Sequence, residues 1–145
     1  MGTSYEKDVV AWANEQAALL RAGNLSAIDI EHIAEEIEDV GKSEQRELAN
    51  RMAVLLAHLL KWQVQPERRG SSWQTTLRIQ RTAIARRLTK TPSLKPMLSD
   101  DEWITDMWGD ACQHAADEMQ IGVAILPESC PWTMDQALDG EFFPN

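Results

Sequence analysis

Apolar residues recur along most of the chain at the three-to-four-residue spacing of amphipathic helices, and no segment shows the two-residue alternation of a half-buried strand. Tyr5, Val9, Trp12, Gln16 and Leu19/Leu20 mark a first helix, with Thr3-x-x-Glu6 as a capping box and Gly23-Asn24 as its stop. Ser26-x-x-Asp29 opens a second, with Ile30, Ile33, Ile37 and Val40 on one face and Gly41 closing it. Ser43 caps a third, whose core face is Leu48, Met52, Leu55, Leu56, Leu59 and Leu60, and Pro66 stops it. Ser71-x-x-Gln74 caps a fourth, with Trp73, Leu77, Ile84 and Leu88 inward as far as Thr91-Pro92. Ser99-x-x-Glu102 caps a fifth, where Ile104, Trp108, Ala111, Ala115 and Met119 share a face up to Gly122. The run VAIL at 123–126 is strand-like but has nothing to pair with, and Thr133-x-x-Gln136 caps one last turn. The pattern predicts an all-α, single-domain bundle of about five helices, roughly 4–22, 27–40, 43–64, 72–90 and 100–121, then a short turn at 133–139 in a coil-rich tail. One long kinked helix in place of the second and third is the alternative, because the apolar period runs on from Ile37 to Leu48. Gly41-Lys42-Ser43 favours the break, since glycine is poor inside helices and serine is a good cap.

A chain of 145 residues is long enough to bury its own core without staples. No apolar run approaches the ~18–20 residues of a membrane span, and the charged start MGTSYEKDVV argues against export. Met1-Gly2-Thr3 has the outline of a myristoylation start, but Glu6 stands where Ser or Thr is wanted. Cys112 and Cys130 lack CxxC spacing, which points to a cytoplasmic protein with both thiols reduced. The net charge of −9 conceals three blocks: −7 over residues 1–45, +9 over 46–96, and −11 over 97–145, which has no Lys or Arg. Either the basic middle is neutralised by its acidic neighbours, or it forms a cationic face for an outside partner.

Candidate chemistry is sparse. Glu44, Glu47, Arg51, His58 and Trp62 form a stripe beside the leucine face of the third helix. Arg51 and His58 have the spacing of the Arg-His pair in helical HEPN-type ribonucleases, although Met52 follows the Arg where those enzymes usually carry a small polar residue. The same spacing shares a helix face by geometry alone. Glu31, Glu35, Glu38 and Asp39 make the second helix acidic enough to hold Mg²⁺, and the string EEIED is loosely similar to the acidic helices of MazG-like nucleotide pyrophosphatases. The ordinary reading of such a run is a solvated face, and no cofactor is required. Asp29-x-x-His32 and Asp110-x-x-x-His114-x-x-x-Glu118 bring side chains together on a helix surface without forming a di-iron pattern. Arg68, Arg69, Arg78, Arg81, Arg86, Arg87 and Lys90 allow RNA binding, but they spread around the helix instead of lining one side.

The run AHLLKWQVQPERRGSSW (57–73), with AEEIEDVGKSEQREL (34–48) upstream and IQRTAIARRLTKTPSLK (79–95) downstream, resembles the bacterial domain-of-unknown-function 29 family. The likeness extends to Tyr5, Asp8, Trp12 and Gln16 and to LPESCPW and GEFFP near the C-terminus. It implies an almost entirely helical protein and no particular activity. It also picks out His58, Lys61, Trp62, Gln65, Pro66, Arg68, Arg69 and Trp73, polar and aromatic residues at one helical corner. Two accounts of that corner stand side by side. In one, the tryptophans close the corner while Arg68 or Arg69 bonds helix-end carbonyls; in the other, Lys61, Trp62, Gln65, Arg68, Arg69 and Trp73 bind a partner.

With six tryptophans, segregated charge and no strong catalytic constellation, the leading reading is a non-catalytic protein-interaction or regulatory module that binds another protein or itself, away from membranes. A HEPN-like ribonuclease or RNA-binding protein using Arg51, His58 and the basic 68–90 segment is the first alternative. An Mg-dependent, MazG-like pyrophosphatase is the second.

Overall fold

The computed structural model describes residues 2–145; Met1, which opens the Met1-Gly2-Thr3 start, lies outside them. Five α-helices follow in order: α1 (Val9–Arg21), α2 (Ile30–Val64), α3 (Ser71–Lys90), α4 (Asp101–Met119) and α5 (Met134–Leu138). Short 3₁₀ turns occupy Leu25–Ala27, Pro66–Arg68, Pro92–Ser99 and Val123–Ile125, and the described residues contain no strand. The class is all-α, as the periodicity indicates.

The expected break at Gly41-Lys42-Ser43 does not occur. The helices read from the sequence at 27–40 and 43–64 are, from Ile30 onward, one helix of 35 residues, about 52 Å long. No other group lies within 4 Å of where a Gly41 Cβ would stand, and Ser43 is exposed. An interior glycine costs about 1 kcal/mol, whereas ending the helix here would strip partners from up to eight backbone groups. Continuation wins.

Three expected caps also move. Thr3 bonds Glu15, by its N–H at 2.6 Å and its hydroxyl at 2.8 Å, and α1 is capped by Asp8, which accepts the Ala11 N–H at 3.1 Å. Gly70, in extended backbone, precedes α3, so Ser71 is the first helical residue. Asp100, not Ser99, caps α4 by accepting the N–H groups of Glu102 and Trp103 at 3.1 and 3.2 Å. The Thr133–Gln136 capping box of α5 forms as the sequence indicates.

The chain forms two compact units, Met1–Ser43 and Glu44–Asn145, the boundary falling within α2. In the second, Leu48, Met52, Leu55, Leu56, Leu59 and Leu60 are fully buried, the face expected of them. Leu77, Ile84 and Leu88 of α3 and Met107, Trp108, Ala111 and Ala115 of α4 pack into the same core. Trp108 meets Trp132 edge-to-face at 5.8 Å, and Trp132 meets Phe142 at 6.1 Å, which brings the coil-rich C-terminal segment onto the core.

That segment is also held by a buried cation. Arg81, 7% exposed, donates through Nε to the Ala137 carbonyl at 2.9 Å and through Nη2 to that of Phe142 at 2.7 Å, while Nη1 lies 3.5 Å from the Gly140 carbonyl. A guanidinium satisfies three diverging carbonyls at once because its five donors form a rigid planar fork. Arg81→Met keeps the stem but removes the donors. It should lower the free energy of unfolding by about 2–4 kcal/mol, with Arg81→Lys losing less, as measured by urea denaturation.

Candidate functional site

The family-marked corner forms where α2 ends. Lys61, one turn from that end, is 8% exposed, and burying its ammonium requires a partner. Glu118 of α4 supplies one through Oε2, and the ammonium lies 5.2 Å from the centre of the Trp73 ring in the first turn of α3. The other Glu118 oxygen is 3.1 Å from His114 Nε2. The Lys61 hydrogen bond holds the Glu118 carboxyl below its usual range. One turn before Lys61, His58 donates from Nδ1 to the Val54 carbonyl at 2.9 Å. Burial pushes the His58 pKa down, so its ring is neutral at pH 7 with Nε2 left as an acceptor.

At the turn itself, Arg69 donates from Nε to the Trp62 carbonyl at 2.6 Å and lies 5.3 Å from the Trp62 ring centre. Trp62 in turn packs on Phe143 at 4.9 Å. Arg69 thus caps the C-terminal end of α2, where unpaired carbonyls and the helix dipole both favour a cation. Arg68 is exposed, and the Gln65 backbone N–H bonds the Lys61 carbonyl at 2.9 Å. Lys61, Trp62, Arg69 and Trp73 are therefore brought together with partners from their own chain.

Arg51 and His58 have different surroundings. Arg51 donates from Nη1 to Gln80 Oε1 at 3.3 Å, and its Nε lies 3.0 Å from Glu47 Oε1, an ion pair too bent to count as a hydrogen bond. Glu31, Glu35, Glu38 and Asp39 are exposed, and among the described residues no three His, Cys, Asp or Glu side chains converge to hold a metal ion. A cleft of about 440 Å³ lies beside Trp108, Trp132 and Cys130, but its thiol is no ready nucleophile. Burial raises the Cys130 pKa and pushes that of Cys112 up to about 11.

The N-terminal unit is built differently. Among its described apolar residues only Trp12 is buried, and polar bonds take the place of a core. Asp29 is their centre. It accepts from Trp12 Nε1 at 3.0 Å and pairs with His32 Nδ1 at 2.7 Å. Its own N–H donates to Gln16 Oε1 at 2.7 Å. Its Oδ1 and carbonyl also meet the N–H groups of His32 and Ile33, so Asp29 starts α2 in place of the expected Ser26. Tyr5 stacks on His32 at 4.1 Å and bonds Glu36, which pushes the Tyr5 pKa up to about 12. Of the apolar stripe expected to face inward on α2, Ile33 is half-buried and the rest is not. Ile30, Ile37 and Val40 are 69%, 67% and 67% exposed, and Val9 and Leu20 of α1 are also exposed.

The fold is all-α, and the marked corner is closed by residues of its own chain. The chain is a member of the DUF29 family, a domain of unknown function, whose profile matches residues 4–143. No curated protein and no solved structure matches it. No described helix is long and apolar enough to cross a membrane.

Two expectations follow. Glu118→Ala leaves the Lys61 ammonium enclosed without its carboxylate and should cost about 1–2 kcal/mol of stability. Lys61→Met, which removes the charge and keeps the stem on Trp73, should cost less; chemical denaturation of both variants checks the order. The Asp29–His32 pair should make the N-terminal unit sensitive to pH. Asp29 raises the His32 pKa above 6.5, aided by Glu35 and Glu6, and His32 lowers that of Asp29 below 3.8. The His32 contribution is present below its unfolded pKa and is lost as pH rises through the higher folded one; the Asp29 contribution is lost as pH falls through its lowered one. Hydrogen-exchange protection of α1, corrected for intrinsic rates, should therefore drop above neutrality, and His32→Gln should abolish that drop.

Proposed function

We propose that the protein is a non-catalytic interaction module that pairs with a second copy of itself through the N-terminal part of α2. The observation that carries this reading is the exposure of Ile30, Ile37 and Val40 on a unit with almost no apolar core. Units of about 40 residues seldom hold together on so little burial, and association is one of the usual remedies. The positions 30, 33, 37 and 40 repeat at the three-and-four spacing of a coiled-coil seam.

Glu31, Glu35, Glu38 and Asp39 lie off this stripe, so pairing along it does not bring the acidic side chains face to face. The seam is two to three turns long, which suits a dissociation constant of about 10 µM more than a nanomolar one.

Sedimentation equilibrium from about 1 to 200 µM should show a monomer of 16.4 kDa giving way to a dimer. Ile37→Lys combined with Val40→Lys should remain monomeric. A wild-type chain that stays at the monomer mass throughout, or a double variant that still forms the dimer, would overturn the proposal.

A further inference from the structure

Between α2 and α3 lies a cleft of about 350 Å³ whose lining includes Arg51, Arg86, Arg87 and Lys90, with Glu44 as its single acidic side chain. Two of these cations are pinned. Arg87 pairs through Nη1 with Glu44 and lies 3.8 Å from Glu47 through Nη2, while Arg51 is held by Gln80 and Glu47. The other two, Arg86 and Lys90, are exposed and have no ion pair among the described residues.

The local charge does not balance. Four cations face Glu44, Glu47 and the end of α3, whose dipole adds only about half a negative charge. Nε of Arg87 is buried without an acceptor, and Nε of Arg51 lies 3.0 Å from Glu47 Oε1 in a bent ion pair, so neither opens into the cleft. Arg86 and Lys90 keep their donors toward solvent. An anion with several oxygens answers the excess of charge, because a guanidinium offers two parallel N–H groups that match tetrahedral oxoanions.

We infer that this cleft binds a phosphoryl group, with Arg86 and Lys90 as its donors and Arg51 and Arg87 adding positive charge behind them. The site is independent of the α2 seam, so it stands or falls separately from self-association. Its phosphoryl group has two possible sources, a small free phosphate or the backbone of a polynucleotide, and both present the same oxygens.

The test is a titration of the full-length protein with inorganic phosphate, against sodium chloride at matched ionic strength, following the arginine Nε–H signals by NMR. Phosphate at millimolar concentration should shift the Arg51 and Arg87 signals to saturation, and chloride should not. Arg86→Gln with Lys90→Gln changes only exposed side chains and should weaken phosphate binding about tenfold. A twelve-nucleotide oligouridylate then separates the sources. Binding more than about tenfold tighter than phosphate assigns the site to a polynucleotide backbone, and equal or weaker binding assigns it to a small phosphate. Shifts that never saturate, that chloride reproduces, or that persist unchanged in the double variant overturn the inference.

Discussion

Everything in this chain is conditioned by the uninterrupted run of α2 from Ile30 to Val64. A helix fixes which residues share a face by its period alone, so one register must serve 35 residues. From Leu48 to Lys61 that register buries residues on several sides at once, since Leu55, Leu56, Ala57, Leu59 and Leu60 are consecutive or nearly so and all inaccessible. Five residues within six cannot share one stripe of a helix; the C-terminal part of α2 is a central helix. The N-terminal part continues the same period with isoleucines and valine, yet the few partners within its own unit are polar. Seam and core are thus one pattern, met by neighbours in one place and left open in the other.

The charge blocks are resolved unevenly. Of the basic residues between 46 and 96, Lys61, Arg51 and Arg87 meet the carboxylates of Glu118, Glu47 and Glu44, while Arg81 and Arg69 spend their donors on backbone carbonyls. Arg46, Arg68, Arg78, Arg86, Lys90 and Lys95 are exposed and have no ion pair among the described residues. Neither account suggested by composition holds alone. Internal neutralisation takes the cations nearest the core, where desolvation makes an unpaired charge costly. Those at the surface stay solvated at little cost and keep a positive field around α3.

What was legible in the sequence, and what was not, follows the range of the interactions. The leucine face of α2 and the inward face of α4 could be read because helix periodicity is local. The Gly41 break has a local signal, a poor helix former beside a good cap, but the larger cost of opening two helix ends outweighs it. The caps at Asp8, Asp29 and Asp100 were each displaced by a few residues from the Ser/Thr-x-x-Glu/Asp patterns, since aspartate caps equally well and stood nearby. At the corner, the spacing of His114 and Glu118 was visible, but its junction with Lys61 spans 57 residues and has no local signature. Exposure of Ile30, Ile37 and Val40 could not be inferred, because an apolar stripe looks the same whether its own chain covers it or a partner does.

The same geometry bears on chemistry. A hydrolytic site needs a nucleophile or an activated water together with a base in reach of it. Cys112 and Cys130 are both held toward the thiol form by burial, and the hydrogen bonds they donate end on the carbonyls of Pro127 and Trp132. His58 keeps an unprotonated Nε2, the right state for a base, but its seven-residue separation from Arg51 amounts to about 10 Å along the axis of one straight helix. Arg51, moreover, is drawn toward Glu47 and Gln80. His58, for its part, donates to the Val54 carbonyl, so the two side chains have separate partners. Their roles separate accordingly: Arg51 contributes to the electrostatics of the α2–α3 cleft, and His58 to the packing of the corner around Lys61 and Glu118.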